Sequence, residues 1–456
     1  MTTVQLTFFH TNDIHSCFDY WPQIIAYTKK HRDGNSLFFE LGDHADRSHP
    51  ITEATEGKGN VRLLNEAKVD FATIGNNEGI TFSKDQLNTL YNEAKFSVIV
   101  ANLFDEKGNR PDWAKPYVIH QLNSGVKIGI IGLTAPFTRF YQQLGWKIEH
   151  PIQLLKKLVD EVRPQVDVVI LMSHLGLFRD EEIAETVDGI DIILGAHTHD
   201  VLKQGKTICG TLIAQAGKYG AHFGKINLHY DQATKTVVHK EAKLLQVEKD
   251  WEEDSATTTL LKQLQQQASK QLAEPVAILP KTLLVSWEEE TEAVDLLCRA
   301  LAEWCDQEIG MINAGVLLES LQKGTITKAD IHRICPHPIN PCVVKLSGLE
   351  LLKTIERSRT TEMKTLQLRG FGFRGKVLGK MIFTGITIRE KSDGTLGEVD
   401  VLGKPLQLDR EYTIATLDMY TFGHLYPDVA ESSFKDYYMP ELLRDILAWK
   451  LGQTYA

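Results

Sequence analysis

A two-domain α/β protein is what this sequence predicts, on three observations. The chain of 456 residues exceeds what one hydrophobic core usually organises. From residue 4 to about residue 230, short apolar runs alternate with helix-like segments, the rhythm of a layered domain with buried strands. From about residue 275 a second mixed α/β unit begins, closing in a helix near residues 441–451.

In order, the strand-like runs of the first part are VQLTFFH, SLFFEL, FATIG, FSVIVA, KIGIIGL, VDVVILM, IDIILG, LIAQ and KINLHY. Helices are expected between them. One spans 84–94, with Ser83 as N-cap and Gln86 closing a capping box. Another covers PIQLLKKLVDEVRP, with Pro151 in its first turn and Pro164 after its end. Past residue 230 comes a hairpin-like stretch and then TTTLLKQLQQQASKQLAEP, whose helical spacing and polar face suit a linking helix or the first helix of the second domain. The expected organisation is therefore 1–250, a linking helix over 251–274, and 275–456, without repeats or heptads.

Composition narrows the function classes. Apolar content of 43% and charged content of 24% are those of a globular chain, not a disordered one. A formal charge of −10 argues against a protein that holds nucleic acid through many phosphate contacts, and so against a nuclease with a broad basic groove. The six cysteines form no CxxC pair and read as buried thiols; Cys335, His337 and Cys342 supply only three donors, too few for a structural zinc site. The first residues carry no basic leader and no run approaches the ~20 apolar residues of a membrane span, so a cytoplasmic protein without a membrane partner is expected. Oligomeric state is not legible.

The chemistry sits just past the ends of the apolar runs. VQLTFFH leads to Asp13 and His15, SLFFEL to Asp43, His44, Asp46 and His49, and FATIG to Asn76 and Asn77. VDVVILM leads to Ser173 and His174, and IDIILG to His197, Thr198 and His199. In open α/β sheets the carboxyl ends of strands converge on one crevice. The Asp13/His15 and His197/His199 pairs have i, i+2 spacing, which turns both side chains to one face of an extended chain. Five strand ends bearing imidazole, carboxylate and amide groups predict a shared metal site. Seven ligands exceed one tetrahedral ion; two ions roughly 3.5–4 Å apart, bridged by Asp43, would use them all, clamp a phosphoryl oxygen and make hydroxide available near neutral pH. A metal-free Rossmann domain is excluded because no GxGxxG succeeds the first strand.

HTNDIHS (10–16), LGD (41–43), GNNE (75–78), SHLG (173–176), GAHTH (195–199) and NAG (313–315) together resemble the 5′-nucleotidase and UDP-sugar hydrolase group of calcineurin-like metallophosphoesterases. The resemblance implies a four-layer α/β/β/α sandwich and, after it, a smaller α/β substrate domain. It also implies one metal on Asp13, His15, Asp43 and His199, and a second on Asp43, Asn76, His174 and His197. Mixed nitrogen and oxygen donors suit Mn²⁺, Zn²⁺, Fe²⁺ or Co²⁺. The expected reaction is release of phosphate from a small phosphorylated substrate, a nucleotide or related ester or anhydride, by metal-bound hydroxide.

The chain departs from the pattern at several places. The motif usually reads GNHE and then an aromatic residue and aspartate, and its histidine steadies the leaving oxygen; here Asn77 and Ile80 stand instead. An asparagine can donate a hydrogen bond but cannot deliver a proton, which puts roughly 10²–10⁴-fold of general-acid catalysis in question. His44 or His49 is the expected replacement, with Asp46 and Glu78 nearby. Leaving groups that need less protonation, such as those of anhydrides, would then be favoured over AMP-like esters. In the second domain NAGVLL puts Leu318 at the place of a substrate-binding arginine, beside Asn313. PHPIN puts His337 at a stacking position, DMYTFGHLY offers Tyr420 or Phe422, and FGFRG offers Arg374. These losses support an alternative: a binding or sensor protein that keeps the metals but turns over little.

Overall fold

Phe8 and Phe9 are neighbours on the strand Thr3–Thr11 and lie in different cores, because successive side chains of a strand point to opposite faces. The same split recurs at Ile170 and Leu171 on Val168–His174, and at Leu212 and Ile213 on Thr211–Ala214. Strands with unbroken apolar runs are thus buried on both faces, as those runs predict. In the computed structural model, which describes residues 3–392, 395–423 and 425–455, these strands form two sheets within the unit 1–268.

The first sheet has seven strands in the order Thr236–Gln246, His222–Asp231, Thr3–Thr11, Ser36–Glu40, Phe71–Ala72, Ser97–Ile99 and Ala114–Lys115. Its five last-named strands run parallel, and the first two form an antiparallel hairpin on its edge. Six strands make the second: Lys206–Ile208, Thr211–Ala214, Ile192–Gly195, Val168–His174, Lys127–Thr134 and Tyr117–Gln121. Leu6, Phe8 and Phe39 from one sheet share a core with Ile130, Ile170, Met172 and Leu194 from the other, so the sheets pack face to face. Phe9 and Phe38 meet the helices Trp21–His31 and Lys58–Glu66 outside the first sheet, while Val169, Leu171 and Ile193 meet Pro151–Val162 and Leu177–Thr186 outside the second. This is the four-layer sandwich. Each fully buried Leu, Ile or Phe contributes roughly 1.5–3 kcal/mol relative to exposure.

Local signals act where expected. Ser83 accepts from Gln86 N at 3.1 Å and Gln86 Oε1 accepts from Ser83 N at 2.9 Å, the reciprocal box that starts the helix Lys84–Leu90. That helix is shorter than the 84–94 expected, because Asn92 N bonds back to Thr89 O and Ala94 N to Tyr91 O in a tightened turn. The helix Ser255–Leu272 buries Leu264 and Ala268 against Trp21, Ile24 and Phe38.

In the unit 269–456, a five-stranded sheet runs Met381–Thr384, Gly310–Asn313, Glu411–Leu417, Pro341–Ser347 and Lys435–Tyr437. Glu292–Trp304, Gly348–Ser358 and Leu443–Thr454 are its larger helices. No helix among the described residues is long and apolar enough to cross a membrane.

Candidate metal centre

The loops that leave the first two parallel strands are zipped together by backbone. Asp13 N donates to Gly42 O at 3.1 Å, His15 N to Asp43 O at 2.8 Å and Ser16 N to His44 O at 2.9 Å. This pairing holds Asp13, His15 and Asp43 on one rim. Asp13, His15, Asp43, His197 and His199 all have left-handed backbone, with φ of 51°, 48°, 53°, 78° and 61°. Non-glycine residues there cost about 1–3 kcal/mol each, so the surrounding fold must over-determine them. Gly75 is required for closeness: a Cβ at this position would lie 2.1 Å from Asp43 Oδ1 and 2.5 Å from His174 Cε1.

The donors converge. His15 Nε2 lies 3.3 Å from His199 Nε2, 3.8 Å from Asp43 Oδ2 and 3.9 Å from Asp13 Oδ1. His174 Nε2 lies 3.6 Å from Asp43 Oδ2 and 4.0 Å from Asp13 Oδ1. Asp43 Oδ2 thus faces both imidazoles. His197 Nδ1 is 2.9 Å from Asn76 Oδ1, and its ring stands 5.2 Å from that of His174. All seven side chains expected at this rim are brought together. Asp13, His15 and His199 form one cluster of ligand atoms, and Asp13, Asp43 and His174 another.

Several of these groups are oriented by partners outside the cluster. His174 Nδ1 lies 2.7 Å from Leu41 O, so this nitrogen carries the hydrogen and Nε2 faces inward. Asn12 donates to Asp13 Oδ2 at 2.7 Å, as does the backbone N–H of His197 at 3.0 Å. Glu78 accepts from the backbone N–H of Asp43, Ala45 and Gly75 at 2.9, 2.7 and 2.9 Å, holding the Asp43 loop against the helix Asn76–Thr81. Burial pushes the Glu78 carboxyl up to about 7, helped by the Asp43 charge. Burial would also raise Asp43, but the facing His174 and His15 outweigh it and hold Asp43 well below the usual carboxylate range. For His174 burial acts to lower the pKa, and Asp43 overrides it to about 10; His197, lowered first by burial and then by the nearby His174, falls to about 4.

This donor set fits divalent cations. Asp13 Oδ1 and His174 Nε2 are buried, face the cluster and have no hydrogen-bond partner. Such orphaned atoms cost about 1–3 kcal/mol each unless a proton or cation satisfies them.

Comparison with known proteins agrees with this geometry. A family model for calcineurin-like phosphoesterase matches residues 6–201, and one for the 5′-nucleotidase C-terminal domain matches residues 274–425. "Uncharacterized metallophosphoesterase YunD" of Bacillus subtilis (strain 168) is 42% identical over 459 residues, covering 98% of this chain and 99% of that protein. The chain is a calcineurin-like metallophosphoesterase with a 5′-nucleotidase C-terminal domain. The 5′-nucleotidase of Vibrio cholerae serotype O1 is 22% identical, with 90% of this chain and 83% of that one aligned. In fold, the metallophosphoesterase is similar to the Haemophilus influenzae NAD nucleotidase NadN, with a TM-score of 0.69, 16% identity and coverage of 99% and 97%.

The side chains expected at the acid position of this metallophosphoesterase have partners of their own. The Asn77 amide lies 3.0 Å from His15 Nδ1, and its backbone N–H donates to Asp43 Oδ1 at 2.7 Å. His44 is turned to packing. Its ring is buried against Trp21, with Nδ1 beside Asn60 Nδ2, and burial lowers its pKa to about 3. His49 accepts from Ile51 N through Nδ1 as the N-cap of the helix Pro50–Thr55, and its ring meets Phe18.

Three expected substrate contacts of the C-terminal domain are also turned inward. His337 is buried, stacked on Phe373 at 5.1 Å, with Nε2 on Val316 O and Nδ1 accepting from Arg374 N. Asn313 and Tyr420 are buried and bond to each other, with Asn313 Nδ2 donating to Leu378 O. Phe422 is half-buried and runs parallel to Phe371, with centroids 6.1 Å apart and planes 9° apart; Phe371 is 46% exposed. Arg374 is half-buried and donates to Phe373 O. Phe371 stands between two glycines in RGFGF, a local pattern that leaves its ring presented. Asn12 and the clamp role of Glu78 stand inside the HTNDIHS and GNNE motifs, but only the fold reveals their partners.

Proposed function

We propose that this chain is a dinuclear, metal-dependent phosphohydrolase that releases phosphate from nucleotides or related phosphate esters and anhydrides. The observation that carries the reading is the gathering of Asp13, His15, Asp43, His174 and His199 around unsatisfied Asp13 Oδ1 and His174 Nε2, with the Asn76–His197 pair beside His174. Asp13, His15, Asp43 and His199 would hold one ion, and Asp43, Asn76, His174 and His197 the other. When bound, such ions neutralise phosphoryl charge and lower the pKa of water toward neutrality. Mn²⁺, Zn²⁺, Fe²⁺ or Co²⁺ suits these donors.

The chain's own residues supply orientation. Glu78, Asn12 and the Leu41 carbonyl hold the carboxylates and His174 in place before a substrate arrives, so no reorganisation is needed at the moment of reaction. Phe371 and Phe422 offer aromatic faces on which a nucleobase can stack. A cytoplasmic location is supported by the buried free thiols of Cys298, Cys305, Cys335 and Cys342.

Turnover of an aryl phosphate by Mn²⁺-loaded protein tests the reading; activity abolished by EDTA and restored by Mn²⁺ is expected. No turnover with several divalent ions would favour the second reading, a phosphometabolite sensor. That reading draws on Asn77, whose amide is engaged with His15 where the family motif has an acid. Rates on AMP and on a nucleotide-sugar, from one preparation, rank esters against anhydrides; because Asn77 cannot deliver a proton, the anhydride is expected to be the better substrate.

A further inference from the structure

We propose that Asp46, together with Asn77, is a positioning residue that sets the tautomer and ring orientation of His15. The inference rests on the two-ion reading and concerns the groups behind the ligands. His15 Nδ1 lies 3.2 Å from Asp46 Oδ2 and 3.0 Å from the Asn77 amide, on the side of the ring away from the cluster. A carboxylate is an acceptor only, so Nδ1 carries the hydrogen and Nε2 keeps its lone pair. That lone pair is the one facing Asp13, Asp43 and His199. The Asn77 atom at 3.0 Å from His15 Nδ1 is Nδ2, an NH₂ donor, so a hydrogen on Nδ1 toward Asp46 requires the Asn77 amide turned to present its oxygen, and the tautomer of His15 decides between the two arrangements.

Asp46 is itself held rigidly. It is 1% exposed; Oδ1 accepts from Ser48 N at 2.8 Å, and its own N–H donates to Ser16 Oγ at 3.0 Å. Ser16 is the next residue after His15 and also bonds Thr52 and Asn60, so the carboxylate and the ring it orients are tied to one network. Asn77 links two ligands at once, with its backbone on Asp43 and its side chain on His15. Tyr219 and His199 meet the His15 ring edge-on at 5.8 and 5.3 Å and complete its cage. His174 by contrast is oriented by a neutral carbonyl, Leu41 O. The two imidazoles are therefore set by partners of different charge, and a carboxylate partner makes its imidazole the stronger donor.

The test uses the full chain with Zn²⁺ alone as probe, read by equilibrium dialysis and by ¹⁵N NMR of histidine-labelled protein. In Zn²⁺-loaded native protein, His15 is expected with hydrogen on Nδ1 and none on Nε2. Asp46→Ala is expected to weaken one of two Zn²⁺ equivalents by about 10–100-fold and leave the other within about twofold. Asp46→Asn, whose carbonyl can still accept the same hydrogen without a charge, should lose less. Native affinity for both ions in both variants would overturn the proposal, as would an Nε2–H on His15 in the loaded native protein. Should Asp46→Ala fail to fold, the native tautomer and Asp46→Asn decide. If the native chain binds no Zn²⁺ at all, the two-ion reading itself fails, and the positioning role falls with it; native binding of two ions with unaffected variants sinks only the positioning role.

Discussion

Asp13, His15, Asp43, His197 and His199 stand on left-handed backbone that L-residues avoid, and their neighbours hold them there. This is strain placed where carboxylate and imidazole side chains converge. Individual side chains elsewhere are equally constrained by burial. Asp418, in the C-terminal unit, has its carboxyl pushed up to about 7 by burial, against the lowering effect of the Asn340 and Met419 backbones. In the unfolded chain this group ionises near 3.8. Between these values the folded state binds the extra proton, so stability falls as pH rises from about 4 to about 7 and levels off above. Asp418→Asn removes this term. The variant should therefore gain on the native protein by up to about 1.4 kcal/mol per pH unit within that window, read from denaturant midpoints at about pH 4.5, 5.5, 6.5 and 7.5. A constant difference across the series would refute the assignment. At Phe371, half-exposed and parallel to Phe422, truncation to alanine should raise KM for a nucleotide several-fold with little change in kcat, and leave KM for inorganic or aryl phosphates nearly unchanged.

Among elements, the short helix Asn76–Thr81 is the piece on which the centre hangs. It begins at Gly75, brings Asn76 to His197 and Asn77 to His15, and sends Glu78 back to collect three backbone N–H groups of the adjoining loops. Replacing Glu78 by alanine would orphan those donors at about 1–3 kcal/mol each, so a loss of about 3 kcal/mol or more is expected. Thermal unfolding and Zn²⁺ binding should both suffer, whereas a Glu78→Ala protein of native stability would show that the clamp contributes nothing. The motif GNNE was legible as a turn after an apolar run. Its glutamate was legible only as a nearby carboxylate, because the three donors it serves lie on Gly75 and on a loop more than thirty residues earlier. The helix expected over 84–94 was legible at its start, where Ser83 and Gln86 lie within four residues of local sequence, and illegible at its end, where a tightened turn takes over.

For the molecule as a whole, cations that bind the folded chain and not the unfolded one must stabilise it by mass action. At a free Mn²⁺ concentration of about 100 Kd the gain is about 2.7 kcal/mol per site, so melting should move up by several degrees with Mn²⁺ and back with EDTA. An unchanged melting temperature would count against a two-ion centre. By itself the sequence determined periodicity and order: unbroken apolar runs make strands buried on both faces, and chemical residues placed just after them end at one rim. Seven rim residues and the α/β/β/α layering come from those local rules together with the family motifs. Tertiary structure alone decided which nitrogen of His174 faces inward, that His44 packs and His49 caps a helix while Asp46 reaches His15, and that His337, Asn313 and Tyr420 are packed inside. Burial and hydrogen-bond pairing are set by chain segments tens to hundreds of residues apart, and spacing along a chain carries no record of them.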